Sequence, residues 1–459
     1  VDRRGAGGDN PGWRQLDRFG FLRGALVADA FDQYLGAINK AVAGGDATEH
    51  THRPALKTLV EGLGKEITAV NEPRRIACGA PDLRIARKAD LTIGYIECKD
   101  IGANLTKEAR SEQVKKRYLP SLGNFILTDY LEFRWYLRGE IQLTARLGHE
   151  GAGGRFKATA ESKKQVGDLF TAFLSQESES IKTAKDLAVR MAALARLLRD
   201  VIVRTFEQEG GRGQLHGQLE AFRKVLIHDL TEGQFADMYA QTICYGLFTA
   251  HCHIGAGTPR ETFTRKEAGY LLPKTNPFLR KMFNEIAGPD LDDRIAWIVD
   301  DVVGLLARAR MGDVLEGFAQ RSKGLDPVVH FYETFLREYD AKLRKVRGVY
   351  YTPEAVVRYI VRSVDELLRD VFGLKHGLAD SSKVRRAGNG GCERESHRCL
   401  ILDPAVGTGT FLFEVVEHIH DRFKRHKGMW SGYVRDHLLP RVFGFELMMA
   451  PYAVAHMKL

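Results

Sequence analysis

The stretch ILDPAVGTGTFLFEVV, residues 401–416, places a short apolar strand directly before Asp-Pro, a Gly-Thr-Gly turn and a helix. A second apolar run, RVFGFEL at residues 441–447, follows that helix. A strand, a helix and a strand with a Gly-rich first turn indicate a parallel α/β sheet, which binds ligands at the carboxyl ends of its strands. Gly407 and Gly409 leave the backbone open to a ligand, and the helix start presents unpaired N–H groups. The sequence therefore predicts a cofactor site at this turn.

The turn does not fit two common nucleotide-binding patterns. A dinucleotide fingerprint needs a third glycine, where this chain has Leu412, and an acidic residue about 20 positions further on. The candidate acidic residue, Glu446, lies much further away. No Gly-Lys-Ser or Gly-Lys-Thr follows the glycines, so the turn is not a phosphate-binding P-loop. We therefore expect neither an NAD site nor an ATP site.

Three segments in the last quarter of the chain resemble motifs of one enzyme family. LDPAVGTGTFL (402–412) resembles motif I of the amino-group DNA methyltransferases, which binds S-adenosylmethionine. GVYYTPEAVVRYIV (348–361) resembles the segment that precedes motif I in the N6-adenine enzymes. VFGFELMMAPYAVAHMKL (442–459) resembles motif II with the helix after it. The three occur in the family's order, which makes the resemblance far more specific than a single Gly-x-Gly.

The resemblance implies a Rossmann-like methyltransferase domain and gives named residues a role in binding S-adenosylmethionine. Glu446, at the end of the second strand, would accept hydrogen bonds from the ribose hydroxyls. The residues that would border the pocket or line the methionine side are Tyr351, Thr352, Pro353, Asp403, Pro404, Ala405, Gly407 and Gly409. The alternative is an ordinary strand, turn and helix in which Glu446 is solvated.

One part of the family's chemistry is absent from this sequence. The family uses an Asn/Asp-Pro-Pro-Tyr/Phe motif, whose polar groups grip the adenine amino group and whose ring stacks on the flipped base. No such tetrapeptide follows Glu446, and TNPF at residues 275–278 precedes the domain and lacks the second proline. A target-recognition domain is missing as well. We therefore expect a fragment that binds the cofactor and does not itself methylate DNA.

A second set of polar residues lies near the front of the chain, in APDLRIARKADLTIGYIECKDI at residues 80–101. Glu97 and Lys99 are two apart on a predicted strand and share one face, while Cys98 points to the other. Together with Asp82, they can hold a hard divalent cation and activate water for attack on a phosphodiester. The lysine can stabilise the developing negative charge. The alternative is a surface strand that merely alternates acidic and basic residues.

This pattern resembles the core of the PD-(D/E)xK nucleases of the Mrr-like restriction type, because a Pro-Asp pair is followed by Glu-x-Lys after fourteen residues. The resemblance implies that Asp82 and Glu97 bind Mg²⁺ and that Lys99 and Gln113 complete the catalytic set. The family pairs its glutamine with a tyrosine as Gln-x-x-x-Tyr. Here the spacing from Gln113 to Tyr118 is one residue longer.

Two further features of the chain have more than one interpretation. Glu61, on the helix before the nuclease motif, is either an additional metal contact or a solvated helix residue. Basic residues cluster at 115–117 and again between Arg337 and Arg347. These clusters suit contact with phosphates, and a solvated surface explains them as well.

The order of predicted elements indicates an α/β multidomain protein with three parts. Residues 1–165 are predicted to form the PD-(D/E)xK (Mrr-like) nuclease domain, and residues 166–339 an all-helical connector domain. Residues 340–459 are predicted to form the N-terminal part of the N6-adenine DNA methyltransferase domain. This arrangement places the two sets of candidate site residues in different domains.

Several local predictions follow from the residue pattern. Helical spacing runs from Trp13 to about Val70, and Thr352 is predicted to cap a helix that begins at Pro353. The polar, Gly-rich segment Leu378–His397 is predicted to be a loop. One helix of the connector carries a buried apolar stripe, formed by Leu187, Met191, Leu194, Leu198 and Val201.

The overall composition limits the class of protein. The 459-residue chain has a net charge of +9 and a sequence pI near 9.1, which suits a polyanion such as double-stranded DNA. A protein can also be basic without such a partner. Six cysteines without Cys-x-x-Cys spacing predict reduced thiols in a cytoplasmic setting. The Cys and His residues at 251–253 and 392–399 lack the second half of a zinc site, and no apolar run is long enough to span a bilayer.

Nuclease, connector and methyltransferase in one chain resemble the single-polypeptide restriction–modification enzymes of type IIG, or of type ISP without the helicase. The resemblance implies a bacterial or archaeal adenine-specific DNA methyltransferase that also cuts unmodified DNA, with S-adenosylmethionine and Mg²⁺ as cofactors. Two alternatives stand beside it. One is a phage-defence adenine methylase with an inactive nuclease domain, and the other is a non-catalytic remnant that binds DNA or cofactor.

Overall fold

A computed structural model describes residues 25–45, 47–71, 80–87, 91–151, 153–176, 181–225, 227–252, 263–265, 267–268, 283, 291–319, 327–340, 352–387 and 393–459. The chain divides into two compact units. The first comprises residues 1–181, 196–210 and 292–310, and the second comprises residues 182–195, 211–291 and 311–459. The domain boundaries at 165 and 339 stay predictions. Within the described ranges, every helix is too short or too polar to cross a bilayer.

Helices make up most of the regular structure. The α-helices are α1 (Ala25–Ala43), α2 (Glu49–Gly62), α3 (Leu105–Glu108), α4 (Leu119–Ser121), α5 (Ala160–Leu174), α6 (Ala184–Glu209), α7 (Gln214–Val225), α8 (Glu232–Cys252), α9 (Asp293–Ala307), α10 (Met311–Ala319), α11 (Pro327–Tyr339), α12 (Glu354–Asp370), α13 (Thr410–Asp421), α14 (Trp430–Tyr433) and α15 (Met449–Lys458). Two π-helices span Glu112–Tyr118 and Val434–Leu438, and two 3₁₀ helices span Gly377–Ala379 and Lys427–Met429.

The strands of the described residues form one large sheet and three strand pairs. They are β1 (Ile67–Asn71), β2 (Leu83–Arg87), β3 (Leu91–Cys98), β4 (Asn124–Thr128), β5 (Glu132–Leu137), β6 (Glu140–Arg146), β7 (His149–Glu150), β8 (Phe156–Lys157), β9 (Lys383–Ala387), β10 (Glu393–His397), β11 (Ile401–Asp403) and β12 (Val442–Gly444). β1 to β6 form the large sheet, and the pairs are β7 with β8, β9 with β10 and β11 with β12.

The large sheet of the first unit is mixed. Its strand order follows the chain from β1 to β6, and every neighbouring pair is antiparallel except β3 with β4, which is parallel. A parallel pair needs a crossover, and the helical segment between β3 and β4 provides it. Leu83 of β2 lies opposite Ile96 of β3. The start of β2 and the end of β3 therefore meet at the same edge of the sheet.

The core of the first unit combines apolar residues of the sheet with residues of α1, α2 and α5. Ile96 and Cys98 of β3 are fully buried in this cluster, and Phe133 packs edge-on against Phe170 of α5 with ring centroids 5.2 Å apart. Because side chains alternate along a strand, the burial of Ile96 and Cys98 turns Glu97 to the opposite face.

Strand β1 differs from the prediction of a helix up to about Val70. Helix α2 ends at Gly62, and Glu66 takes a left-handed conformation with φ of 60° before β1 begins at Ile67. Isoleucine, threonine and valine in this stretch favour a strand, and pairing with β2 through Ile67 and Arg87 satisfies its backbone. Tertiary pairing therefore outweighs the helical spacing of the apolar residues.

Helix α9 is tied to the sheet of the first unit. The Tyr95 hydroxyl of β3 donates to the Asp301 carboxylate of α9, and Trp297 packs edge-on against the Tyr95 ring with centroids 5.7 Å apart. Burial raises the pKa of Asp301 to about 6 against the lowering effect of the Tyr95 hydroxyl. The strand that carries Glu97 is therefore held to α9 at Tyr95, two residues before Glu97.

The apolar stripe predicted on the long helix α6 is present. Every residue of the stripe is at most 6% exposed, which confirms its assignment to the core. The stripe consists of Leu187, Met191, Leu194, Leu198 and Val201.

The C-terminal part of the second unit has the predicted order of strand, helix and strand. β11 and β12 are parallel, with Asp403 opposite Gly444. A small apolar cluster, which includes Val357 of α12 and Ile419 of α13, joins the helices. The buried Asp365 holds this region together through the Leu378 N–H and Arg422, each at 2.7 Å.

Two local predictions for this part are wrong. The segment Leu378–His397, predicted as a loop, contains the antiparallel pair β9 and β10, because its charged residues can pair across the strands, as Lys383 and Glu395 do at 3.4 Å. Thr352 does not cap α12. Pro353 is the cap residue, and its carbonyl accepts the N–H groups of Val356 and Val357.

Candidate functional site

Three of the four predicted nuclease residues come together where β2 begins and β3 ends. Asp82 immediately precedes β2, Glu97 is the penultimate residue of β3, and Lys99 directly follows β3. The antiparallel register of β2 and β3 brings Asp82 opposite Glu97, because Leu83 pairs with Ile96. Asp82 and Glu97, which are separated by fourteen residues in the sequence, are therefore brought together by the pairing of β2 with β3.

Hydrogen bonds fix the orientation of each of these side chains. Asp82 Oδ2 accepts the Cys98 N–H at 2.7 Å, and Glu97 Oε1 accepts from Lys99 Nζ at 2.7 Å. The Lys99 N–H donates to the Thr128 carbonyl at 2.8 Å. Glu97 is 3% exposed, and its Oε2 is buried without a hydrogen-bond partner among the described residues. A buried carboxylate oxygen without a partner is unfavourable, and a cation would satisfy it.

The electrostatics of this cluster are unusual for carboxylates. Burial, and then the negative charge of Asp82, raise the pKa of Glu97 to about 8 against the opposing effect of Lys99. Burial also raises the pKa of Asp82, although the Cys98 N–H and Arg53 act to lower it. Burial lowers the pKa of Lys99, but the carboxylates of Glu97, Asp82 and Glu49 together outweigh this effect and the net shift is upward. Such perturbed groups concentrate at functional sites.

Two residues of this site were missed in the sequence. Arg53 of α2 forms an ion pair with Asp82, and it also contacts Glu49 at 2.8 Å on the same helix. The i,i+4 spacing of Glu49 and Arg53 is visible in the sequence. The proximity of these two residues to Asp82 is not visible in the sequence, because it depends on how α2 packs against the sheet.

Glu61 has a different role from either interpretation. Its carboxylate accepts the Ala69 N–H at 2.9 Å and lies 3.9 Å from Lys57. It therefore links α2 to β1. The helix carboxylate that lies near the nuclease residues is Glu49.

Gln113 and Tyr118 contact each other across the π-helix Glu112–Tyr118. Gln113 Nε2 donates to the Tyr118 hydroxyl at 2.7 Å, and Tyr118 is fully buried. Gln113 is thus held by Tyr118, whereas Asp82 is held by the Cys98 N–H and Glu97 by Lys99.

The basic clusters have mixed surroundings. Lys116 is exposed and pairs with Glu112 at 3.2 Å, whereas Arg117 is 9% exposed. Arg337 lies 3.9 Å from Glu338. The basic residues between 341 and 347 lie outside the described residues. Lys115 and Lys116 are thus the accessible members of the first cluster.

The second candidate site is the turn between β11 and α13. Glu446 spans this turn, because its Oε2 accepts the Gly407 N–H at 2.8 Å and its Oε1 accepts the Met448 N–H at 2.7 Å. Asp403 Oδ1 accepts the Ala405 N–H at 3.1 Å. Asp403 Oδ2 is buried without a hydrogen-bond partner among the described residues. Two carboxylates therefore frame the turn at the carboxyl ends of parallel strands.

The glycines of this turn have distinct reasons to be glycine. Gly407 has a φ of 57° and Gly409 a φ of 78°, which side-chain-bearing residues rarely adopt. A Cβ atom on Gly407 would enter open space, whereas one on Gly409 would lie 3.2 Å from the Ala455 backbone. Gly407 therefore leaves room for a ligand, and Gly409 allows α15 to approach.

The remaining predicted cofactor residues are distributed around this turn and α12. Pro404 and Ala405 are exposed at the turn, and Thr352 and Pro353 precede α12 with Pro353 exposed. Tyr351 and the TNPF segment at 275–278 lie outside the described residues.

The Cys and His residues at 251–253 and 392–399 could also be interpreted as metal sites, but His253 and Cys392 lie outside the described residues, so this interpretation stays untested. The group of ligating side chains found within 4.8 Å of one another is Glu417, His420 and Asp421 at the end of α13, where two of the three side chains are exposed. His397 Nε2 lies 3.2 Å from His437 Nδ1.

Comparison with known proteins gives one family match. Residues 323–459 match the family model described as N-6 DNA Methylase. No curated protein matches the chain.

Solved structures with related chains were also found. One is a cryo-EM structure of a DrdV–DNA complex, with 19% identity and a TM-score of 0.34, covering 94% of this chain and 38% of that one. A nuclease-deletion mutant of the type ISP restriction-modification enzyme LlaGI with a DNA substrate mimic has 16% identity and a TM-score of 0.39, covering 64% and 20%. The ATP-dependent type ISP enzyme LlaBIII bound to DNA has 16% identity and a TM-score of 0.39, covering 66% and 18%. The chain thus spans less than two fifths of each of these relatives.

The family match covers the β11 turn, Glu446 and α12, where the predicted cofactor residues lie. Residues 323–459, less than a third of the chain, are therefore similar to the N-6 DNA Methylase family.

Proposed function

We propose that this chain is part of a single-polypeptide DNA restriction–modification enzyme of the type IIG-like layout. The enzyme would methylate adenine N6 in a specific double-stranded DNA site and cleave unmodified DNA. The methylation half is supported by the family match of residues 323–459. The cleavage half is supported by one observation above all, the buried Glu97 Oε2 without a partner beside Asp82 and Lys99.

The turn between β11 and α13 suits S-adenosylmethionine. Asp403 Oδ2 is buried and has no partner among the described residues, and the space at the Gly407 Cβ position is open. Asp403, Ala405 and Gly407 would bind the methionine part of the cofactor. Glu446 would accept hydrogen bonds from the ribose hydroxyls. When bound, S-adenosylmethionine supplies an electrophilic methyl group for transfer to the adenine amino nitrogen.

Glu446 already accepts two backbone N–H groups, and this arrangement is compatible with ribose binding. A carboxylate offers about four lone-pair positions, so each oxygen of Glu446 keeps one for a hydroxyl. The hydrogen bond from Gly407 also orients the carboxylate over the turn. The residue would therefore be positioned before the cofactor binds.

The edge residues of the large sheet suit Mg²⁺. Asp82 and Glu97 supply oxygen ligands, which hard divalent cations prefer. A bound cation polarises the phosphate and activates water. Lys99 would keep Glu97 oriented through Oε1 and contribute positive charge near the phosphate. Gln113, held by Tyr118, would contact DNA or water.

The proposal is tested with the natural gene product that contains this chain, incubated with unmodified DNA, S-adenosylmethionine and Mg²⁺. We expect 6-methyladenine by mass spectrometry and DNA cleavage on a gel. Asp82→Asn or Lys99→Ala should abolish cleavage and leave methylation intact, and Glu446→Ala should do the reverse. The matched control is Glu220→Gln, which removes a carboxylate from an exposed surface ion pair with Arg223.

Each alternative gives a different result in this experiment. Methylation with no cleavage at any Mg²⁺ concentration would identify a methylase with an inactive nuclease domain. Neither activity, with DNA or cofactor binding retained, would identify a non-catalytic remnant. Loss of both activities in folded Asp82→Asn protein would contradict two separate sites.

A further inference from the structure

Arg53 is paired with the carboxylate that the proposed nuclease would use for its metal. One terminal nitrogen of the Arg53 guanidinium contacts Asp82 Oδ1 and also lies 2.8 Å from Glu49 Oε1. The second oxygen of Asp82 accepts the Cys98 N–H at 2.7 Å. Both oxygens of Asp82 are therefore engaged within the chain itself.

Glu97 contrasts with Asp82 in this respect. One Glu97 oxygen is held by Lys99 at 2.7 Å, and the other is buried without a partner among the described residues. Glu97 thus offers a cation one ready ligand. The second ligand, Asp82, has a positively charged guanidinium in contact with it.

We propose that Arg53 is a built-in competitor of the metal, whose ion pair with Asp82 a divalent cation must displace, so that Arg53 lowers the metal affinity of the site. This inference rests on the nuclease site proposed above and concerns its regulation. The residue acts through Asp82 and is therefore a positioning residue.

The direction of the effect follows from charge. A dication that binds Asp82 is repelled by the nearby guanidinium, and repulsion between close charges is strong where water is excluded. Removing Arg53 would also favour protonation of Asp82, which opposes metal binding. The dication carries twice the charge of the proton, so the removal of Arg53 relieves more repulsion for a bound dication than for a bound proton. The net expectation is tighter metal binding without Arg53.

The surroundings of Arg53 allow it to leave Asp82. Glu49 lies one helical turn away and already accepts from Arg53, so the guanidinium keeps an anionic partner when the Asp82 contact breaks. Arg53 Nε is buried without a hydrogen-bond partner among the described residues. Glu49 would therefore retain the Arg53 guanidinium while Asp82 binds the metal.

The inference is tested by titrating the 459-residue chain with Mn²⁺ in the absence of DNA and measuring free Mn²⁺ by electron paramagnetic resonance. Mn²⁺ binding that is lost in the Glu97→Gln variant is assigned to the proposed site. We expect Arg53→Gln to bind Mn²⁺ there at least about tenfold more tightly than the wild-type chain. The matched control is Arg134→Gln, because Arg134 is similarly buried in an ion pair with Glu132 and should leave the affinity unchanged.

The outcomes separate this inference from the nuclease proposal. Equal or weaker binding by folded Arg53→Gln, with binding that still depends on Glu97, would overturn the role of Arg53 and leave the metal site standing. No Glu97-dependent binding in any variant would remove the metal site itself, and the inference with it. Circular dichroism establishes that each variant is folded.

A crystal structure of the wild-type chain with Mn²⁺ provides a measurement that needs no variant. With Mn²⁺ bound to Asp82 and Glu97, the Arg53–Asp82 ion pair should be broken and the Arg53–Glu49 contact retained. A bound metal with the Arg53–Asp82 ion pair intact would overturn the inference.

Discussion

Gln113 Nε2 donates a hydrogen bond to the Tyr118 hydroxyl at 2.7 Å, across one turn of the π-helix Glu112–Tyr118. The two residues are five apart, which matches the i→i+5 repeat of a π-helix. In an α-helix, residues four apart face each other. The extra residue relative to the Gln-x-x-x-Tyr pattern is therefore accommodated by the wider turn, and the glutamine and tyrosine still meet.

This contact leads to a prediction for Tyr118. Tyr118→Phe should destabilise the first unit by about 1 kcal/mol, because Gln113 loses the partner that accepts its hydrogen bond. The measurement is the urea midpoint of the unfolding transition of this unit. Ile141→Val is the control, since Ile141 lies on β6 of the same unit and is 52% exposed, so the change should have little effect. An unchanged midpoint for Tyr118→Phe would show that the hydrogen bond does not stabilise the π-helix.

The buried Glu97 predicts a specific dependence of stability on pH. The pKa of the Glu97 carboxyl group is about 8 in the folded protein. In an unfolded chain the pKa of a glutamate is about 4.3. Between these values the folded state binds more protons, so the stability contributed by this group falls as pH rises. The melting temperature of the wild type, relative to Glu97→Gln, should therefore decrease from pH 5 to pH 8.

Differential scanning calorimetry at several pH values checks this dependence. Glu112→Gln controls for the loss of a carboxylate at the surface, where the Glu112 side chain is 66% exposed. A difference between wild type and Glu97→Gln that stays constant or increases with pH would contradict the raised pKa of Glu97.

Gly409 is predicted to tolerate no side chain. Gly409→Ala places a Cβ atom 3.2 Å from the Ala455 backbone and forces alanine to a φ of 78°. Together these should lower stability by about 1–3 kcal/mol. Thermal unfolding of the second unit measures the effect, with Gly432→Ala as control because its Cβ position has nothing within 4 Å. Equal melting temperatures for the two variants would contradict the close approach of α15.

The sequence was most informative where short-range pattern and chemistry coincide. β2, which begins after Asp82, β3, which carries Glu97, and the parallel strands β11 and β12 are all marked by apolar runs next to polar motif residues. Their positions could be predicted because alternation along a strand fixes which side chains share a face. The same alternation predicts that Lys99 shares a face with Glu97.

Other features depend on contacts that are distant in the chain. Arg53 reaches Asp82 only because α2 lies against the edge of the sheet. The strand β1 was hidden within helical spacing, since its pairing with β2 decides its conformation. The pair β9 and β10 was hidden because glycine and charged residues also characterise loops. In each case tertiary pairing outweighs local preference.

The cofactor site is tested most directly by equilibrium binding of tritiated S-adenosylmethionine to the 459-residue chain. We predict saturable binding that Glu446→Ala weakens at least about tenfold, since loss of a hydrogen bond from a charged group costs about 1.5–3 kcal/mol. Glu417→Ala, which removes an exposed carboxylate from α13, should bind like the wild type. Absence of saturable binding by the folded chain, or equal binding by Glu446→Ala, would contradict a cofactor site between Asp403 and Glu446.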